Sequence, residues 1–166
     1  MNVAHALHRA AALYGDLPAA ICDDATLTHA QLDERSNRLA QAFLASGCRL
    51  GDRVATWVEN SLACIELDFA LAKAGLVRVS LNPRLTPAEA RYILDDAEAR
   101  AFVHGASYDA QIDAVVQASE FSTHVATRSP RRHPDARKAC ASRLLRSSSC
   151  AWVSVASPQI AAGRSP

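Results

Sequence analysis

The sequence predicts an α/β fold built around a partial, mainly parallel sheet with flanking helices, and three observations lead to it. Apolar runs of four to six residues alternate with amphipathic stretches of ten or more, as in chained βαβ units. The longer stretches open on paired capping signals, Thr28 with Gln31 and Thr86 with Glu89, and close on Gly47 and Gly75, so they are bounded as helices. Only three core strands are encoded, fewer than a doubly wound sheet usually has, so sheet edge and apolar helix face are expected to remain uncovered.

The first element is a helix over "VAHALHRAAALY", with Val3, Ala6, Leu7, Ala10, Leu13 and Tyr14 as its apolar face and Gly15 and Pro18 as its end. The stretch has no acids and one arginine, too few basic residues for a transit peptide, so it reads as a folded helix. "AAIC" and "TLT", separated by Asp23-Asp24, predict a small hairpin. Thr28 then caps a long helix marked by Leu32, Leu39, Ala40, Phe43 and Leu44. Gly51-Asp52 feeds a strand from about Arg53 to Val58, and Asn60 or Ser61 caps the next helix, "LACIELDFALAKA". That helix is apolar nearly all round, which predicts packing on two sides. The strand "LVRVS" follows.

The next stretch, "SLNPRLTPAEARYIL", crowds strong local signals into a short connection. Pro83 pushes Asn82 toward extended geometry, so the strand before it cannot continue as helix. Thr86, Pro87 and Glu89 supply a cap, a proline at the first helical position and the return half of a capping box. The helix from about Pro87 buries Ala90, Ile93, Leu94 and Ala97, spaced i, i+3, i+4, i+7. The strand "AFVH" and a weaker helix through Ile112, Val115 and Val116 complete the regular part.

Composition divides the 166 residues. Residues 1–120 hold 10 Lys/Arg against 16 Asp/Glu, whereas residues 121–166 hold 8 against 1 and are mostly Arg, Ser, Ala and Pro. The second part lacks a sustained repeat and is expected to be a disordered tail. Its basic run, Arg128 to Lys138, has no interleaved aromatics, so no specific nucleic-acid partner is expected. Cys22, Cys48, Cys64, Cys140 and Cys150 form no C-x-x-C pair and no metal-ligand spacing with histidine. They read as free thiols in a reducing compartment, the cytoplasm. No apolar run reaches the roughly 18 residues of a transmembrane segment.

The usual catalytic patterns are missing. Gly15, Gly47, Gly51, Gly75, Gly105 and Gly163 are isolated, so no phosphate loop of the familiar kinds is encoded. Asp23-Asp24, Asp33-Glu34 and Asp95-Asp96 read as a turn and solvated helix surfaces rather than acid–base pairs. His29 is expected in the first turn of a helix and His104 at a strand end. No G-x-S-x-G elbow activates a serine. Asn82 and Arg84 fall at the end of a parallel strand, where α/β folds place ligand contacts, but a turn needing Asn-Pro geometry explains the same residues.

Residues 2–119 as a whole resemble the amino-terminal part of the AMP-forming acyl-CoA synthetases, members of the adenylate-forming superfamily. The resemblance rests on "LDERSNRLA", "GDRV", "ENS" and "KAGLV…LNPRLTPAE". It implies an incomplete amino-terminal domain of that fold over residues 1–120, with "SLNPRLTPAEARYIL" as the junction between a core strand and the next helix. It also implies the family activity: ATP-dependent formation of an acyl-adenylate from a fatty or other carboxylic acid, then transfer to coenzyme A.

The family's catalytic motifs have no counterpart here. Absent are the Ser/Thr/Gly-rich loop ending in Pro-Lys-Gly, the aromatic-Thr-Glu segment, the ribose-binding aspartate, the hinge and the carboxy-terminal lysine. No residue is therefore assigned a catalytic, cofactor-binding or metal-binding role. ATP, Mg and coenzyme A are expected of the intact family and not of this fragment. The tail composition suits an out-of-frame reading of GC-rich coding sequence, so a reading-frame change or truncation near Phe121 is expected. Two functions remain open: a truncated synthetase inactive alone, or a non-enzymatic module that binds the remainder of a synthetase or another copy.

Overall fold

The computed structural model describes residues 3–116, 124–128 and 152–156. A helix, α1 (Val3–Tyr14), leads into an antiparallel hairpin of β1 (Pro18–Cys22) and β2 (Ala25–Thr28). Asp23 makes the reversal with a φ of 52°, a conformation aspartate tolerates better than most residues. Helix α2 (His29–Ala45) starts directly after the hairpin. Thr28 accepts from the Gln31 backbone while the Gln31 side chain accepts from the Thr28 N–H, so the predicted capping box is present.

Three parallel strands form the centre: β3 (Arg53–Trp57), β4 (Val77–Ser80) and β5 (Ala101–His104), in the order β4-β3-β5. Helix α3 (Leu62–Ala74) connects β3 to β4, and α4 (Pro87–Asp96) connects β4 to β5. Ser61, not Asn60, caps α3, and Gly75 ends it at φ 68° and ψ 29°, the left-handed position that favours glycine. A short 3-10 turn precedes α5 (Asp109–Val116).

Side-chain alternation along β3 separates two cores. Val54 joins Leu39, Phe43, Leu67, Leu71 and Val103 on the α2–α3 side. Ala55 and Trp57 join Leu81, Leu94, Phe102 and Tyr108 on the α4–α5 side. A third cluster, Leu7, Leu27 and Leu32, fixes α1 and the hairpin to α2. Helix α3 packs on α2, the sheet, α1 and β1, as its all-round apolar sequence requires.

The face of α1 differs from expectation. Ala4 and Leu7 are buried, whereas Val3, Leu13 and Tyr14 are 62%, 60% and 55% exposed. Two stripes satisfy helical spacing in this alanine-rich segment, and contact with Leu27 and Leu32 selects the one through Leu7. Leu44 on α2 is likewise largely exposed, and Asp33 and Ser36 take buried positions on that helix.

The sequence-based expectation of a disordered tail falls mostly outside the described residues. Within it, β6 (His124–Arg128) pairs antiparallel with β7 (Trp152–Ala156), and β6 runs beside β5. The expected boundary near Phe121 also lies outside the described residues. Cys22, Cys48 and Cys64 are free thiols, and Cys140 and Cys150 are outside the described part.

Candidate functional site

Polar chemistry gathers in two places, the carboxyl ends of the parallel strands and the junction of α1, α2 and α3. At the first, the β4–α4 junction is held by its own side chains. Asn82 Oδ1 accepts from the Arg84 N–H at 2.9 Å, an Asx turn, and the Asn82 carbonyl accepts from Trp57 Nε1 at 3.1 Å. Trp57 stacks on Tyr108 with ring centroids 4.5 Å apart. Thr86 Oγ1 accepts from the Glu89 N–H at 3.4 Å, and Glu89 Oε2 accepts from the Thr86 N–H at 2.8 Å. Hydrogen bonds from the Thr86 backbone and hydroxyl hold the Glu89 carboxyl below its ordinary value. Asn82 and Arg84 are both exposed, and their contacts are those of a turn. Thr86→Ala should lower stability by about 0.5–2 kcal/mol, the usual loss for a threonine cap, with the helix content of the folded state unchanged; chemical denaturation checks it.

His104 ends β5 as expected, with Nδ1 3.5 Å from Asp109 Oδ1. His29 is the first residue of α2, and its buried Nδ1 has no hydrogen-bond partner. Asp23 and Asp24 sit in the hairpin turn, and Asp95 pairs with Arg91 on the surface of α4.

At the second place the sequence-based reading needs correction. Asp33 is not on a solvated surface; only 9% of it is exposed. Lys73, from the last turn of α3, donates to the Asp33 carbonyl at 2.8 Å, Asp33 Oδ1 at 2.7 Å and Ser36 Oγ at 2.8 Å. These acceptors match all three protons of its ammonium group. Ser36 in turn donates to the Leu32 carbonyl at 2.6 Å. On the α1 side, His8 Nδ1 lies 3.4 Å from Asp33 Oδ2. An open cleft of about 300 Å³ adjoins the group, lined by Ala4, His5, His8, Asp33, Asn37 and Lys73.

Burial opposes ionisation of Asp33, but the hydrogen bond from Lys73, supported by His8 and the charges of both, outweighs it. Its carboxyl therefore lies below the ordinary 3.8. A lowered folded-state pKa adds stability that is complete above the unfolded value and is lost as the pH falls through the folded one. Acid titration of stability should thus show a loss below about pH 4 that is absent in Asp33→Asn; superimposable titrations of the two proteins would contradict the assignment.

Nearby, Glu66 of α3 is 4% exposed and its Oε2 lies 2.7 Å from Arg35 of α2. The Arg35 Nε is buried without a hydrogen-bond partner, so the pair is close but incompletely aligned. Burial raises the Glu66 carboxyl above its ordinary value against the opposing charges of Arg35 and Arg38. Nothing in the sequence marked these pairs, whose members lie on different helices.

Neither place forms a cradle for a nucleotide. Helix α4 carries a carboxylate, Glu89, in its first turn, which repels phosphate. The Ser61 hydroxyl oxygen already accepts from the Cys64 N–H at the start of α3. Among the described residues no three His, Cys, Asp or Glu side chains are placed to hold a metal ion. Also among them, no helix is long and apolar enough to cross a membrane.

The sequence pattern of the AMP-binding enzyme family matches residues 7–154. The chain belongs to that family. Residues on both sides of Phe121 fall within the match, so membership extends into the compositionally distinct part. A relative from Mycobacterium tuberculosis, a medium/long-chain-fatty-acid–CoA/3-oxocholest-4-en-26-oate–CoA ligase, is 32% identical over 127 residues, which is 76% of this chain and 23% of its own length. The fatty acid–[acyl-carrier-protein] ligase ScoC of Streptomyces coeruleorubidus is 45% identical over 83 residues, 50% of this chain and 16% of its own length. Among solved structures, a Mycobacterium tuberculosis fatty acyl CoA synthetase aligns with a TM-score of 0.67 at 33% identity, covering 72% of this chain and 24% of that one. The chain thus spans about a quarter or less of the length of these relatives. Its described α/β sheet with flanking helices corresponds to part of the amino-terminal domain of adenylate-forming enzymes.

Proposed function

We propose that this chain is the amino-terminal portion of an AMP-forming acyl-CoA synthetase. In the whole enzyme a fatty acid or related carboxylic acid reacts with ATP to give an acyl-adenylate, and the acyl group passes to the thiol of coenzyme A. The observation that carries the reading is the family match over residues 7–154 together with relatives that are fatty-acid ligases. One of those relatives is an acyl-carrier-protein ligase, which makes a carrier thiol the competing acceptor. The contribution of this portion is architectural: it supplies a parallel sheet and its two helical layers, and the phosphate-binding and thioester-forming residues come from elsewhere. The cytoplasm, where ATP and coenzyme A are available, is the compartment that suits this chemistry.

Residues 1–166 by themselves should therefore show no acid-dependent exchange of pyrophosphate into ATP, because transition-state charge on a phosphoryl group requires positioned donors. Exchange above a heat-killed control, abolished by substitution of a residue in this chain, would overturn the proposal. The composition after Phe121 suits a frame change there, whereas the family match that runs on to residue 154 counts against one; DNA encoding a phosphate loop in another frame downstream would decide for the frame change.

A further inference from the structure

Helix α1 is attached by little of its surface. Ala4 and Leu7 are its buried residues, and neither end carries a charge that complements the helix dipole. A polar tie to α2 runs from His8 Nδ1 to Asp33 Oδ2 at 3.4 Å, but the His8 side chain is 78% exposed, and contacts of that kind contribute little in water.

The surface beneath α1 is complete without it. Lys73 directs its three ammonium protons to groups of α2, so the buried ion pair does not depend on α1. Leu27 and Leu32, which receive Leu7, are also packed by Ala19, Leu62 and Phe69. The open cleft at His5, His8, Asn37 and Lys73 keeps part of α1 away from the other two helices. The chain just after α1, in contrast, is pinned. The N–H groups of His29 and Ala30, at the start of α2, donate to the carbonyls of Leu17 and Gly15 at 3.1 and 3.0 Å.

From these features we infer that α1 is a hinged strap. It leaves and rejoins α2 and α3 as a unit, turning at residues 15–17, while the hairpin, the Lys73–Asp33 pair and the sheet stay folded. A lone helix of twelve residues is marginal in water, so undocking also melts it. The open state bares Leu27 and Leu32 beside Asp33 Oδ2, the carboxylate oxygen that faces His8 while Lys73 holds Oδ1. Closure refills that slot with Leu7. The strap thereby governs access to the α2–α3 surface.

Hydrogen exchange on isotopically labelled residues 1–166, with urea added below the unfolding transition, tests the inference. After correction for intrinsic rates, the amides of residues 7–14 should share one opening constant and exchange about a hundredfold faster than those of Phe43, Val54 and Val103. They should respond weakly to urea, because undocking one helix exposes little surface. The His29 and Ala30 amides should stay slow. Leu7→Ala should speed residues 7–14 about thirtyfold, the lower end of the effect of a buried leucine-to-alanine change. Leu94→Ala, in the core on the far side of the sheet, should speed Val54 and Val103 and leave residues 7–14 unchanged. The inference is overturned if residues 7–14 are as slow as Val54, if their rates fall steadily from the amino terminus in place of sharing one constant, or if His29 and Ala30 open with them. A response of residues 7–14 to Leu94→Ala, no response to Leu7→Ala, or a chain without slow amides anywhere defeats it equally.

Discussion

Lys73→Met should destabilise the fold by about 3–5 kcal/mol, the effect of removing one partner from a buried ion pair. The side chains of Lys73 and Asp33 are only 10% and 13% exposed, so little water can replace the lost ammonium group. The methionine keeps most of the aliphatic stem in place. What it removes is the set of three donors that satisfy the Asp33 carboxylate, the Asp33 carbonyl and Ser36 Oγ. The double variant Lys73→Met with Asp33→Leu should recover much of the loss, because an apolar pair leaves no uncompensated charge. Urea denaturation of the single and double variants measures both effects. A loss below about 1 kcal/mol for Lys73→Met would place the pair among surface ion pairs.

Trp57→Ala should be comparably damaging, about 3–5 kcal/mol, because deletion of a buried indole combines lost transfer free energy with a cavity that neighbours fill only partly. Trp57 is 1% exposed, stacks on Tyr108 and donates to the Asn82 carbonyl. It therefore connects the central strand, the β4–α4 junction and the turn before α5. Trp57→Phe separates these contributions: it keeps an aromatic face toward Tyr108 and loses the indole donor, so its effect should be less than half that of alanine. Since small domains are stable by about 5–15 kcal/mol, the alanine variant is expected to be extensively unfolded at the temperature where the native chain begins to melt. Equal effects of alanine and phenylalanine would show that the hydrogen bond to Asn82, and not the packed ring, dominates.

The parts of this fold legible in the sequence are those set by local chemistry. The Thr28–Gln31 and Thr86–Glu89 boxes, the proline at the start of α4 and the left-handed Gly75 each act within a turn of their own position, and all are present. The same holds for β5, where four residues bracketed by turns are enough to mark a strand. Contacts between distant residues were less accessible. Lys73 and Asp33 are 40 positions apart, and neither spacing nor composition shows that an Asp-Glu pair on α2 has one member turned inward. The face of α1 departs from its sequence pattern for a related reason. Alanine makes nearly every helical stripe acceptable, and the choice falls to partners in the hairpin and α2. For the candidate site, the Asn82–Arg84 turn was legible as chemistry of the backbone.

The strand order β4-β3-β5 also explains how so small a sheet acquires two covered faces. Connections between parallel strands are right-handed in nearly all proteins. The step from β3 to β4 advances toward one side of the sheet and carries α3 across one face. The next step, from β4 to β5, goes back past β3 in the opposite direction, so the same handedness places α4 on the other face. Reversing the direction of growth, with no additional strand, gives three layers. It also leaves β3 and β5 between helices on both sides, so every residue of Ala101–His104 is buried. That explains why Ala101, Phe102 and Val103 are apolar at successive positions instead of alternating with polar residues.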